Sequence, residues 1–125
     1  MSKILVIEDN PVNMELATDL LEVAGFGVLQ AFSAEEGIAL AHAELPNLIL
    51  MDLSLPGMDG LTATRQLRSE AATAQIPIVV LTANAMKGDE ERAHEAGAVG
   101  YIAKPFDTRR FAGHIHAFLK AGDAS

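Results

Sequence analysis

The sequence predicts a doubly wound α/β protein: a five-stranded parallel sheet in flavodoxin-like order 2-1-3-4-5 with five helices. Three observations carry this. Short, almost wholly apolar runs recur along the chain, as strands buried on both faces require. Each is followed by a stretch of helical spacing with capping signals at its ends. The 125 residues suit one domain, expected over 1–120, with 121–125 ("AGDAS") as a frayed tail. Right-handed crossovers then leave few topologies.

The elements follow in order. "KILVI" (3–7) is strand 1. "DNPVNMELATDLLEVAGFG" contains helix 1, with Asn10 as N-cap, Pro11 at the first helical position and Gly25 as the stop. Its expected buried stripe is Val12, Leu16, Leu20 and Ala24, flanked by Ala17 and Leu21. "VLQA" (28–31) is a weaker second strand. "SAEEGIALAHAEL" is helix 2, with Ser33 and Glu36 at capping-box spacing and Pro46 closing it. "NLILM" (47–51) is strand 3, and Leu55-Pro56-Gly57 is a turn. Asp59 caps a helix over 60–72. "IPIVVLTA" (76–83) is strand 4, led in by Pro77, and a helix over 86–96 stops at Gly97. "VGYIA" (99–103) is strand 5. Asp107 or Thr108 caps the last helix, where Phe111, Ile115, Phe118 and Leu119 form an i, i+4, i+7, i+8 stripe.

Composition narrows the function. There are no cysteines, which excludes disulfides and thiolate metal sites and fits a reducing compartment. No apolar run approaches membrane-spanning length and no signal peptide is apparent, so a cytoplasmic protein without membrane attachment is expected. A net charge of −8 argues against nucleic-acid binding. The acidity serves solubility, or some carboxylates converge on a cation. The four histidines, His42, His94, His114 and His116, read as surface residues.

Within "LILMDLSLPG", Asp52 follows four apolar residues, where an unpaired charge is costly. The fold explains it. Doubly wound sheets bind ligands beyond the carboxyl ends of their strands, and Asp52 falls there, at the lip of the core. Glu8-Asp9, Thr82 and Lys104-Pro105 end strands 1, 4 and 5 in the same way. Adjacent carboxylates need a cation. Oxygen donors without Cys or clustered His favour Mg²⁺, with Mn²⁺ as the second choice. Mg²⁺ in turn suggests a phosphate. Thr82 and Lys104 supply a hydroxyl and an ammonium for it, and an Asp carboxylate can accept a phosphoryl group. No Gly-rich phosphate loop follows strand 1, so a bound nucleotide is not expected.

"ILVIEDN", "LILMDLSLPGMDG", "IPIVVLTA" and "YIAKPF" together resemble the receiver domains of two-component response regulators, over the whole chain. "EDNPVNMELATDLLEVAGF" and "TANAMKGDEERAHEAGA" look most like DivK-type single-domain regulators and receivers of hybrid histidine kinases. The resemblance implies that Asp52 is the phosphoacceptor. It implies that Glu8 and Asp9 hold Mg²⁺, with Asp52 and the Ser54 carbonyl as further ligands, and that Thr82 and Lys104 contact the phosphoryl group. A sensor histidine kinase or histidine phosphotransfer protein would be the donor, and the only catalysis expected is of the chain's own phosphorylation and dephosphorylation. No output domain is expected after residue 120, so readout is expected by protein binding or phosphorelay; the start at Met1 favours a free-standing protein over a receiver cut from a hybrid kinase.

Several finer expectations follow. The Lys104-Pro105 bond is expected to be cis. Ser54 and Asn84 are expected to set the phosphoryl lifetime. Readout is expected through the face of helix 4, strand 5 and helix 5, with Tyr101 turning inward as Thr82 moves. The competing readings are a haloacid-dehalogenase-type phosphatase and a phosphorylation-independent binding module. The phosphatase motif wants a second Asp two residues after the first, where this chain has Ser54.

Overall fold

The structure, a computed structural model, describes residues 2–83, 87–104 and 106–123. Five strands, β1 (Lys3–Ile7), β2 (Gly27–Ala31), β3 (Leu48–Asp52), β4 (Ile78–Thr82) and β5 (Gly100–Ala103), alternate with five helices. The helices are α1 (Pro11–Val23), α2 (Ala34–Glu44), α3 (Gly60–Ser69), α4 (Lys87–Ala96) and α5 (Phe111–Asp123). The strands form one parallel sheet in the predicted order β2-β1-β3-β4-β5. No helix among the described residues is long and apolar enough to cross a membrane.

The pleat sorts the core by parity. Ile4 and Val6, Leu48 and Leu50, Val79 and Leu81, and Ile102 pack with α1 and α5 on one face. Leu5, Ile7, Ile49, Met51 and Ile78 pack with α2 and α3 on the other. Val80 joins that second side under α4, against Leu61, Ala93 and Ala96. The three central strands are therefore apolar on both faces up to their polar ends, which is why they read as unbroken runs.

The helix ends obey local chemistry. The Asn10 side chain accepts from the Val12 and Asn13 amides, and Ser33 Oγ accepts from the Glu36 amide at 3.1 Å. Asp59 Oδ1 accepts from the Thr62 amide at 2.8 Å. That hydrogen bond is the first reason the Asp59 carboxyl lies below the usual carboxylate range. Gly25 and Gly97 follow α1 and α4 at φ of 95° and 104°, a region that costs other residues more. Asp107 serves the last helix: its carbonyl accepts from the Phe111 amide at 2.9 Å and its carboxylate from Arg109.

Four expectations need correction. In α1 the buried residues are Met14, Ala17 and Leu21, whereas Val12 is 73% exposed. Leu16, Leu20 and Ala24 only flank the core, so the helix is rolled toward the neighbouring stripe. α3 stops at Ser69 rather than near residue 72. There, buried Thr73 turns its hydroxyl back to the Leu67 carbonyl at 2.6 Å and closes the helix end. α5 runs on to Asp123, so three of the residues expected in a frayed tail are helical. Asp52 is the last residue of β3 and only 2% exposed, so it is inside the sheet's edge rather than on its lip.

Gly60 fixes how closely α3 approaches β3. A Cβ there would stand 2.2 Å from the Asp52 carbonyl oxygen, whereas one at Gly113, also helical, would meet nothing within 4 Å. Gly60→Ala should therefore destabilise the protein by about 1–3 kcal/mol or more. Gly113→Ala should leave it unchanged or raise its stability by up to about 1 kcal/mol. Urea denaturation of the two variants beside the parent checks both the sign and the contrast.

Candidate functional site

The main-chain ladders run one residue beyond three strands. Glu8 N donates to Ala31 O at 3.0 Å, Leu53 N to Leu81 O at 3.0 Å and Lys104 N to Thr82 O at 2.7 Å. Side-chain alternation therefore persists at the sheet's carboxyl edge. By parity Glu8, Asp52 and Lys104 all continue the α1/α5 face, following Val6, Leu50 and Ile102. Thr82 follows Val80 on the opposite face.

The side chains meet accordingly. Lys104 Nζ is 2.8 Å from Glu8 Oε1 and 3.2 Å from Asp52 Oδ1. The Ser54 amide donates to Asp52 Oδ1 at 3.1 Å. One carboxylate oxygen from each of Glu8, Asp9 and Asp52 lies within 4.8 Å of the others. Glu8 is 1% exposed, and Asp9 is open to solvent. The buried Glu8 Oε2 has no hydrogen-bond partner among the described residues. Thr82 is buried at the end of β4, and Tyr101 is half-buried, packed on the cluster of Leu61, Val80 and Ala93 beneath α4.

The electrostatics follow from crowding. Burial, with the Asp52 carboxyl beside it, pushes Glu8 up to about 7 against the pull of Lys104. Burial also acts to raise Asp52, but hydrogen bonds from Glu8 and the Ser54 amide, and the Lys104 charge, outweigh it and bring Asp52 below its ordinary value. Burial lowers Lys104, and its bonds to Glu8 and Asp52 more than offset this. Two buried acids thus share one ammonium, and of the two Glu8 is the one pushed toward its protonated form. Oxygen donors only, one of them an orphaned buried oxygen, suit a hard divalent cation.

The structure thus brings Glu8, Asp9, Asp52 and Lys104 together, with Ser54 bonded to Asp52 and Thr82 ending the neighbouring strand. Asn84 and the Lys104-Pro105 bond lie outside the described residues. The four histidines are all exposed, His42 pairing with Glu70 at 2.9 Å. Sequence reasoning missed Arg92. No motif singles it out, yet it lines a cavity that Ser54 and Thr82 also line.

Residues 4–116 match the response regulator receiver domain family. The chain belongs to that family. It is 41% identical over 121 residues to the polar-differentiation response regulator DivK of Brucella ovis, with 97% of each chain covered. The receiver domain of a Pseudomonas aeruginosa sensor histidine kinase, solved with a magnesium ion coordinated in its active-site cleft, is 35% identical. It superposes with a TM-score of 0.85 over 99% of this chain and 98% of that one. A CheY-like receiver from Methanospirillum hungatei is 27% identical at a TM-score of 0.90, over 99% and 98% of the two chains. This receiver is therefore a phosphoacceptor response regulator domain of two-component signalling. The dehalogenase-type phosphatase and the phosphorylation-independent module gain nothing from these likenesses.

The Glu8 shift sets a pH dependence. Its folded value, about 7, lies above the ordinary 4.5, so its contribution to stability is complete below about 4.5 and is lost as pH rises through about 7. Asp52, shifted down, acts oppositely, but only below its ordinary 3.8. In the presence of a chelator the receiver should therefore lose stability between about pH 5 and pH 8, and Glu8→Gln should lose less. Equilibrium denaturation at the two pH values measures the difference.

Proposed function

We propose that Asp52 accepts the phosphoryl group, and that the observation carrying this is the single ammonium of Lys104 held between the buried carboxyls of Glu8 and Asp52. A carboxylate oxygen of Asp52 attacks phosphorus of a partner's phosphohistidine. The phosphorus–nitrogen bond breaks and its electron pair leaves on the imidazole. The depressed pKa keeps Asp52 ionised and ready. Lys104 and the Thr82 hydroxyl then face the new phosphoryl oxygens, as stabilisers of its charge.

Glu8, Asp9, Asp52 and the carbonyl of Ser54 are the proposed ligands of Mg²⁺, with Mn²⁺ as a substitute. The orphaned Glu8 oxygen and the three convergent carboxylates support that set. When bound, the cation neutralises charge on carboxylates and phosphoryl oxygens alike. The same residues would return the phosphoryl group to water, with Ser54 and Asn84 setting its lifetime. Residues 1–120 would form the working receiver, in the cytoplasm, with no nucleic acid or membrane bound. A sensor histidine kinase or histidine phosphotransfer protein would load it.

Acetyl phosphate with Mg²⁺ should give one phosphoryl adduct by intact mass. Asp52→Asn should give none, and Lys104→Ala should give at most a short-lived trace. An adduct of full yield on Asp52→Asn would overturn the assignment.

The readout face proposed for a protein target is α4, β5 and α5. Tyr101 sits on β5 one strand from Thr82, already packed against residues of α4. A phosphoryl group on Asp52 adds charge that draws the Thr82 hydroxyl toward it, and the ring then has room to turn. The beryllofluoride-loaded receiver should show Tyr101 buried and chemical-shift changes clustered on this face. Changes confined to α1 would place the readout elsewhere.

A further inference from the structure

Beside the phosphoacceptor, on the α3/α4 side of the sheet, lies a cavity of about 310 Å³ whose lining includes Leu53, Ser54, Asp59, Leu61, Thr82, Ala83 and Arg92. Taking a water's share of liquid volume, it has room for roughly ten waters, far more than a phosphoryl group needs. Its wall has two characters. Leu53, Leu61 and Ala83 are apolar. Among the described residues of the lining, Arg92, on the exposed side of α4, brings the one cation, while Asp59, the one anion, already accepts the Thr62 amide at 2.8 Å. The cavity also shares Ser54 and Thr82 with the Asp52 site, Ser54 through its amide at 3.1 Å. An apolar wall next to a planar cation suits a small acyl group carrying a carboxylate, which a guanidinium grips with two parallel hydrogen bonds. A guanidinium has five N–H donors, so it can keep a partner within the protein and still present two.

We propose that this cavity is a leaving-group subsite for acyl phosphates, and that Arg92 selects them over other small phosphodonors by holding the departing carboxylate. The proposal rests on Asp52 being the phosphoacceptor. In the step it serves, an Asp52 oxygen bonds to phosphorus as the bond between phosphorus and the acyl oxygen breaks. The electron pair leaves on that oxygen, giving a free carboxylate that needs no proton. Charge on the acyl oxygens grows along this path, so a cation placed there favours the transition state over the bound donor. A phosphoramidate leaves as a neutral amine after protonation and offers neither the carboxylate nor the acyl substituent. Arg92 should not matter to it in the same way.

The test compares autophosphorylation rate constants for acetyl phosphate and for phosphoramidate, both with Mg²⁺, in the parent protein, Arg92→Gln and Arg92→Lys. The readout is the ratio of the two constants. It should fall about 3- to 10-fold in Arg92→Gln, the range for a partly exposed, charge-assisted contact. Arg92→Lys, which keeps the charge and loses the fork, should fall less. A ratio that is unchanged or higher in Arg92→Gln overturns the subsite, whether the separate rates drop or not, because a merely structural role would slow both donors together. A parent protein loaded by neither donor removes the phosphoacceptor reading, and the subsite with it. A parent loaded at Asp52 by both, with an unmoved ratio, removes the subsite alone.

Discussion

Packing two carboxyls around one ammonium at the edge of an apolar sheet is the constraint on which the other features of this receiver depend. Glu8 and Asp52 are both nearly inaccessible, and Lys104 reaches both. Neither acid could remain there ionised without a counter-charge. With a single ammonium between them, positive charge falls short of negative, and Glu8 is the acid whose pKa is pushed up. The resting site is therefore short of positive charge by construction. That deficit is what makes it receptive to a hard cation, and it costs stability in the cation's absence.

The geometry that creates this crowding is backbone geometry. The ladder bonds at Glu8, Leu53 and Lys104 carry the strand pleat past the formal strand ends. They hold three charged side chains on the same face as the α1/α5 core and send Thr82 to the other. Gly60 allows α3 to rest directly on the Asp52 carbonyl, so Asp52 is held from its main chain as well as its side chain. The division by parity separates two tasks. Charge neutralisation occupies one side of the sheet edge. The cavity with Ser54, Thr82 and Arg92, and Tyr101 packed beneath α4, occupies the other.

Much of this was readable in the sequence, for identifiable reasons. Strands buried on both faces leave uninterrupted apolar runs, so the end of each run marks the functional edge, and Glu8, Asp52, Thr82 and Lys104 stand at such ends. Caps at Asn10, Ser33 and Asp59 are local and were equally plain. What failed was rotational or nonlocal. Two adjacent stripes on α1 are both apolar, and only packing against the sheet selects Met14, Ala17 and Leu21 over Val12. The stop of α3 depends on a hydroxyl bond from Thr73 across a turn, which no periodicity reports. The burial of Asp52 depends on which residue the strand ends with. Arg92 carries no motif of its own: which way it faces is decided by how α4 lies on β4, a tertiary fact.

The hydrogen bond between Lys104 and Glu8 joins residues 96 positions apart. Contacts of such separation form late, because the entropy of closing the intervening chain must be met before the contact contributes anything. All of β1, β3, β4 and β5 must be docked before the ammonium has its two acids. A chain still lacking its fifth strand, whether emerging from a ribosome or partly unfolded, offers an Asp52 with no lysine beside it. On the role proposed for Asp52 and Lys104, competence to receive a phosphoryl group arrives only with the completed sheet.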